Sequence, residues 1–344
     1  MKAAILHEPL KISIQKVPKP VVRRNDVLIK VKAVGLCGTD IETYRGSYNV
    51  KYPLIMGHEG AGEIVEVGEG VKNFRPKERV VIDPILHCKK CPMCLSGKTN
   101  LCKNGGLLGR DVGDGAYAEF VAVDQNMVFP FGNEISYSEA ALIELLATVI
   151  HAQLRVSINP KIGVAILGQG PAGLLHTKLA KLTQAYPIIV TSRSEWKLRL
   201  ALEAGADIVV NSSKEDPTER ILKETNGNGA EVVIEAAGSQ DTLNQASKIV
   251  SAGGTILRFG TVTRPMNNYD IVPLYLKEVN TIGSRACVQD DIKQAIKLAN
   301  SGVVSLKPLI TNEFLLDDIE EAFLAQDKLS RNLKTIIKPH DLAD

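Results

Sequence analysis

The chain has 344 residues, room for two domains at ~150 residues each, and its 44% hydrophobic, 23% charged composition is that of a globular protein that buries its core without disulfides. Lysine and arginine number 41 against 39 acidic residues, a formal charge of +2. That near-balance excludes an electrostatic case for binding nucleic acid or an acidic membrane surface.

The N-terminal run MKAAILHEPLKISIQKV lacks the apolar stretch and small-residue cleavage pattern of a secretory signal. The most apolar windows make poor membrane spans. IGVAILGQGPAGLL is interrupted by glycine and proline, and AALIELLATVIHAQL falls short of the ~20 residues a span needs and carries Glu144 and His151. A cytoplasmic protein with no membrane partner is expected.

Residues 1–130 read as strand-rich, with short β-branched runs (MKAAILH, KISIQKV, DVLIKVKAVGL, GEIVEVGEGV, ERVVIDP) set apart by proline, glycine and charge. Within them, Gly35-Leu36-Cys37-Gly38-Thr39-Asp40 ends a strand with a thiol at a turn, and Gly57-His58-Glu59-Gly60-Ala61-Gly62 follows. Cys37 and His58 are donor types that zinc prefers, and a catalytic site needs three protein ligands and an open position. The third ligand is expected to be a carboxylate. Glu59 is adjacent to His58, and Glu144 sits in AALIELLA, where a lone buried acid needs a cation or a hydrogen-bonding partner.

Cys88, Cys91, Cys94 and Cys102 follow in CKKCPMCLSGKTNLC, spaced C-x2-C-x2-C-x7-C. Four thiolates on one short loop suit a closed, tetrahedral structural zinc site. Two disulfides are the alternative, which a reducing compartment disfavours.

SYSEAALIELLATVIHAQLR is long, apolar and free of breakers, so it is expected to form a single, mostly buried helix. From residue 162 to about 285, the strand candidates IGVAILG, PIIVT, ADIVVN, AEVVIEA, GGTILRFG and VNTIGS alternate with helical stretches. That pattern predicts a parallel sheet covered on both faces. Gly168-Gln169-Gly170-Pro171-Ala172-Gly173 is G-x-G-x-x-G between the first of these strands and a helix, the context of a dinucleotide-binding turn. Gly168, Gly170, Pro171, Ala172 and Gly173 are its pyrophosphate-binding set, with Thr148 and Gly260 beside the cofactor.

At the end of the second strand, Ser192 and Arg193 stand where an NAD site usually has a carboxylate. A hydroxyl and a guanidinium suit a 2′-phosphate, so NADP is favoured over NAD. In the alternative, Glu195 takes the ribose diol and Arg193 is solvated or stacks on adenine. The tail holds the helical pieces DDIKQAIKLANSG and LDDIEEAFLAQDKL and a last strand, LKTIIKP. Cys287 reads as a buried apolar residue.

Together these residues resemble the medium-chain, zinc-dependent alcohol dehydrogenase family. GHEGAGEIVEVGEGV fits that family's G-H-E-x2-G-x5-G signature, and the cysteine loop and G-x-G-x-x-G follow in the family's order over essentially the whole chain. The resemblance implies an α/β protein. Residues 1–150 and 290–344 would form a GroES-like β-rich catalytic domain with the structural zinc loop at 88–102. Residues 151–289 would form a doubly wound Rossmann domain.

It also implies two zinc ions per chain. The catalytic ion would be held by Cys37, His58 and Glu59 or Glu144, and the structural ion by Cys88, Cys91, Cys94 and Cys102. The implied activity is hydride transfer between NAD(P) and a secondary alcohol or a polyol or sugar-type alcohol, as in the sorbitol, threonine and secondary-alcohol dehydrogenase branch. Thr39 would take the alcohol proton, although Thr39 and Asp40 also read as helix caps. A small alcohol or ketone is the expected partner, with no nucleic acid, and the chain is expected to be a homodimer or homotetramer.

Three departures bear on the substrate. Leu145 replaces the proline usual after the acid, and Glu42 stands where many relatives place a histidine near the ribose. Gly283-Ser284-Arg285-Ala286 replaces a Phe-Arg-Tyr-type stretch of polyol enzymes. The alternatives are threonine dehydrogenase-like or sugar-phosphate dehydrogenase activity, or a non-catalytic zinc- or nucleotide-binding relative.

Overall fold

The computed structural model describes residues 1–340 apart from 264, 327, 329 and 330. The chain divides into two compact units, Met1–Ala147 with Ala286–Asp344, and Thr148–Arg285. Among the described residues, no helix is long and apolar enough to cross a membrane.

The axis of the first unit is the strand Asp26–Leu36. It runs antiparallel to Glu59–Val67, Phe120–Asp124 and Lys334–Lys338 within a seven-stranded sheet. Period-two alternation sends Val27, Ile29, Val31 and Ala33 into the core with no exposure. At its end Val34, Gly35 and Leu36 are all buried, because the strand there runs beneath the site described below. A three-stranded sheet in the order Lys11–Lys16, Lys2–Glu8, Leu54–Ile55 contributes Ala4 and Leu6 to the same core. Ile310–Leu315 pairs parallel with Lys334–Lys338. The sequence did not announce this strand, since ITNEFL is partly exposed along its length and has no clean alternation.

The second unit is a six-stranded sheet in which every neighbouring pair is parallel. Its order is Ile208–Asn211, Ile188–Ser192, Val164–Leu167, Ala230–Glu235, Val250–Arg258, Asn280–Gly283. Numbered along the chain this is 3-2-1-4-5-6, the doubly wound dinucleotide-binding order, whose ligand crevice lies outside the carboxyl ends of the strands. The α/β class and the parallel sheet are as the sequence implied.

One expected element differs. The breaker-free run 136–155 forms two helices, Tyr137–Ala140 and Ile143–Gln153. Ser136 and Glu139 close a capping box at the start. The Leu142 N–H then bonds the Glu139 carbonyl, an i to i+3 contact that tightens the turn and re-aims the chain. No residue type marks this break, so the sequence carries no sign of it. In the tail, Gln289–Asn300 and Ile319–Ala325 are helical. Residues 327 and 329 of the second expected piece lie outside the described residues.

Candidate active site

Cys37 is the N-cap of the helix Gly38–Tyr44, directly after the axial strand. His58 precedes the neighbouring strand, which begins at Glu59. Antiparallel pairing sets Gly35 opposite Glu59, and this register brings the two motifs together. Ligand atoms of Cys37, His58 and Glu59 all lie within 4.8 Å of one another. His58 is 4% exposed and Glu59 1%.

Asp40 fixes the imidazole. Its Oδ1 lies 3.2 Å from His58 Nδ1, which leaves Nε2 to face a metal. Its Oδ2 accepts from the Cys37 backbone N–H at 3.0 Å and from the Tyr117 hydroxyl at 2.9 Å. Burial works against the charged form of Asp40, but the charge and hydrogen bond of His58, with those two donors, hold the carboxyl below its ordinary range. Sequence reading had weighed Asp40 only as a cap and missed Tyr117.

Glu59 pairs with Lys334, and neither side chain is more than 3% exposed. Room for the pair comes from Gly35. A Cβ there would stand 2.0 Å from Glu59 Oε2 and 2.9 Å from Lys334 Cε. Glu59 Oε1 is buried and has no hydrogen-bond partner. A thiol, an imidazole nitrogen and an acceptor-only oxygen with a free lone pair suit a zinc ion. Lys334 was read only as part of a strand, although a lysine inside LKTIIKP was a signal.

Glu144 lies outside that trio. It is 8% exposed in the first turn of Ile143–Gln153. Burial, and after it the charge of Glu59, push its carboxyl up to about 7 against the opposing pull of His58 and Lys334. Thr39 is partly buried in the first turn of the helix capped by Cys37, and its carbonyl accepts from Thr43 Oγ1 at 2.8 Å. Glu42 is tied to Arg45 at 3.2 Å and to Ser47 at 2.7 Å. Cys287 is 1% exposed, and burial drives its thiol well above the usual range.

The four loop cysteines converge as their spacing predicts. Cys88, Cys91, Cys94 and Cys102 have all their sulfurs within 4.8 Å of one another. The separations Cys91–Cys94, Cys91–Cys102 and Cys88–Cys94 are 3.5, 3.9 and 4.0 Å. A tetrahedron with Zn–S of ~2.3 Å has edges of about 3.8 Å. The sulfurs fit that cage and not a pair of disulfides. Loop N–H groups, led by that of Lys90, pull the Cys88 thiol down to about 6, while burial and the neighbouring thiols push Cys94 up to about 12, so the four sulfurs resist ionising together unless a cation lies among them.

In the second unit Gly168 takes φ +99° and Gly170 caps the helix Pro171–Leu182, with Pro171 at its first position. A Cβ at Gly173 would stand 2.0 Å from the Gly168 carbonyl, so only glycine allows this helix to pack on its turn. Ala172 lies in the helix's first turn, and Thr148 is buried in Ile143–Gln153. Gly260 follows the strand Val250–Arg258. Ser192 ends the second strand at its carboxyl edge, where its hydroxyl accepts from the Ser194 N–H at 3.2 Å, and Arg193 follows. Glu195 is bound by Lys214 at 2.7 Å and Asn211 at 2.5 Å.

The alcohol dehydrogenase GroES-like domain model matches residues 23–133, and the zinc-binding dehydrogenase model matches 171–301. The chain is 35% identical to the sorbitol dehydrogenase of Bacillus subtilis, over 94% of this chain and 92% of that protein. It is 34% identical to the L-threonine 3-dehydrogenase of Thermococcus kodakarensis, over 94% and 93%. A zinc-binding dehydrogenase from Sinorhizobium meliloti bound to NADP superposes with a TM-score of 0.93 at 31% identity, covering 98% of this chain and 99% of that one. The 2R,3R-butanediol dehydrogenase of Bacillus subtilis gives 0.90 at 31% identity, with the same coverage. The chain belongs to the zinc-dependent medium-chain alcohol dehydrogenase family.

This dehydrogenase is an NAD(P)-dependent oxidoreductase acting on CH–OH groups. Its buried Lys334–Glu59 pair predicts a measurable stability effect. Lys334→Met leaves Glu59 buried without its cation, and breaking such a pair costs about 3–5 kcal/mol. In metal-stripped enzyme the urea midpoint of the unit that holds the pair should fall accordingly, while Lys334→Arg, which keeps the cation, should recover part of the loss. An unchanged midpoint for Lys334→Met would mean that the pair contributes nothing.

Proposed function

We propose that Met1–Ala147 with Ala286–Asp344 is the catalytic domain of a two-zinc dehydrogenase and that Thr148–Arg285 is its dinucleotide domain. The observation that carries this reading is the convergence of Cys37, His58 and Glu59 within 4.8 Å in a buried setting. Cys37, His58 and a carboxylate hold the catalytic ion, the carboxylate being Glu59 or Glu144. Cys88, Cys91, Cys94 and Cys102 hold the structural one. When bound, the catalytic metal supplies Lewis acidity at the substrate oxygen and the dinucleotide supplies the hydride acceptor.

The chain's own residues set the geometry around them. Asp40 keeps His58 in one tautomer and orientation, and Lys334 sets where the Glu59 carboxylate points. Thr39 takes the hydroxyl proton of the alcohol and passes it outward. Gly168, Gly170, Pro171, Ala172 and Gly173 hold the pyrophosphate at a helix N-terminus, with Thr148 and Gly260 beside the cofactor.

NADP is the favoured cofactor. Arg193 directly follows the second strand and Lys197 lies in the first turn of the helix Glu195–Ala204, where the charge of Arg193 helps to depress the Lys197 ammonium, although burial is the larger cause. The acid that could take a ribose diol, Glu195, is already committed to Lys214 and Asn211. The substrate is a secondary alcohol, or a polyol or sugar-type alcohol, and the protein works in the cytoplasm as a homodimer or homotetramer. The cytoplasm suits its six free cysteines. Assembly is supported by the exposed Tyr275 and Leu276 beside the edge strand Asn280–Gly283.

A panel of alcohols and ketones with each cofactor, read by reduced-nicotinamide absorbance alongside metal analysis, tests the whole reading. Two zinc ions per chain and turnover of a secondary alcohol support it, whereas one ion without turnover points to a non-catalytic relative. Cys37→Ala should abolish turnover and leave the fold intact, while Cys88→Ala should lose one zinc ion and mainly lower stability. Thr39→Ala should cost at least ~10-fold in kcat, and unchanged turnover would remove it from the proton path. Arg193→Ala should lower kcat/KM for NADP by ~10-fold and leave that for NAD unchanged. A wild-type kcat/KM for NAD equal to or above that for NADP would overturn the cofactor preference.

A further inference from the structure

Glu235 is the last residue of the fourth parallel strand, Ala230–Glu235, and has no exposed surface. One of its oxygens, Oε1, accepts from the Ala237 N–H at 2.9 Å, the Gly238 N–H at 2.7 Å and the Thr242 hydroxyl at 2.8 Å. Among the described residues, neither N–H has another acceptor and no lysine or arginine pairs with the acid. Burying a carboxylate is costly unless donors meet it, and here they come from the loop that the residue itself begins.

That loop, 236–239, is wedged between two others. The Ala236 N–H bonds the Leu167 carbonyl at 3.0 Å, directly before the glycine turn, and a Cβ on Gly168 would stand 3.0 Å from that of Ala237. On the other side the Glu235 carbonyl accepts from the Phe259 and Gly260 N–H groups at 3.0 and 2.9 Å. A Cβ on Gly260 would stand 2.2 Å from the Gly238 nitrogen, and Gly238, at φ +70°, would put its own 2.4 Å from the Thr261 carbonyl oxygen. At Gly170, by contrast, a Cβ would meet nothing within 4 Å, so the glycine turn is open where a pyrophosphate approaches.

We propose that Glu235 is a positioning residue for the nicotinamide half of the dinucleotide. The proposal rests on the reading of Thr148–Arg285 as the dinucleotide domain. A doubly wound sheet is two mononucleotide-binding halves, and the first three strands, with Ser192 and Arg193, form the adenosine half. Loops 236–239 and 259–261 follow the first two strands of the other half. An apolar side chain at 235 would leave two loop N–H groups unpaired, and the loop would lose the shape against which the second nucleotide seats.

The test is calorimetric titration of zinc-loaded enzyme with NADPH and NADH, and with adenosine 2′,5′-bisphosphate and AMP, which carry only the adenosine half. Glu235→Met keeps the bulk without the acceptor. It should raise the Kd of the preferred dinucleotide about 10-fold, the effect of one charge-assisted hydrogen bond, and leave that of the matching adenosine nucleotide unchanged. Glu235→Gln, whose amide oxygen still accepts both N–H bonds, should recover most of the loss. Thr242→Val removes one anchor of the same oxygen and should raise the dinucleotide Kd about 3-fold, which keeps the test open if Glu235→Met folds poorly. In cofactor-free enzyme, hydrogen exchange at Ala237 and Gly238 should speed up in Glu235→Met. Equal weakening of the dinucleotide and its adenosine half overturns the proposal, as does a dinucleotide Kd that neither Glu235→Met nor Thr242→Val changes. Wild-type enzyme that binds neither dinucleotide overturns the reading of the domain itself, and the proposal with it.

Discussion

The concentration of charge buried under Cys37 and His58 is the constraint that organises the catalytic unit. Asp40, Glu59, Asp83 and Glu144 are each at most 8% exposed, with His58 and Lys334 as the buried groups of opposite sign. Taking an isolated ion out of water costs several kcal/mol even after relaxation, so each acid must find compensation. Asp40 finds it in His58 and two further donors, and Glu59 in Lys334. Glu144 and Asp83 do not find enough. Burial, the largest cause in both, pushes the first up to about 7 and the second to about 6. A dication held beside Cys37 and His58 would supply the missing positive charge, and would then be part of the unit's electrostatic balance as well as of its chemistry.

The two metal sites solve different problems. The loop cage is built from four thiols of one sequence segment, partly open to solvent, and local turns position it. Cys91 caps a helix begun by Pro92, and a short 3₁₀ turn delivers Cys102. Such a cage closes on the ion and leaves no open position, as a structural site should. The other site draws its donors from strand ends far apart in the chain. Its Lys334 comes from a third strand, near the end of the sequence. Its geometry therefore depends on the register of the sheet, and Gly35 marks where that register leaves no space for a side chain.

This difference explains what was legible in the sequence. The cysteine cage and the glycine turn are local, so spacing alone revealed them. The parallel sheet was legible because its central strands Val164–Leu167, Ile188–Ser192 and Ala230–Glu235 are largely buried and read as apolar runs, whereas the edge strand Asn280–Gly283 is mostly exposed. Cys37 and His58 were legible as motifs, but their meeting depends on strand pairing, which spacing does not encode. Asp40, Tyr117 and Lys334 stayed hidden for the same reason, since each acts through a contact across the sheet. The break after Ala140 was invisible because a shift in backbone hydrogen bonding produces it, with no glycine or proline to mark it.

Lys334 also bears on the choice between the two candidate acids. An ammonium that already holds Glu59 Oε2 competes with a metal for the same carboxylate, although Oε1 stays available. At Glu144 the charges of His58 and, after it, Lys334 oppose the rise, but burial and the charge of Glu59 outweigh them. A carboxyl raised to about 7 by burial and by a like charge gains most from direct coordination, because the ion removes both causes at once. Glu59, already compensated, gains less. The balance of charge thus gives Glu144 the greater need of a nearby cation, while Glu59 is the acid whose ligand atom lies with those of Cys37 and His58.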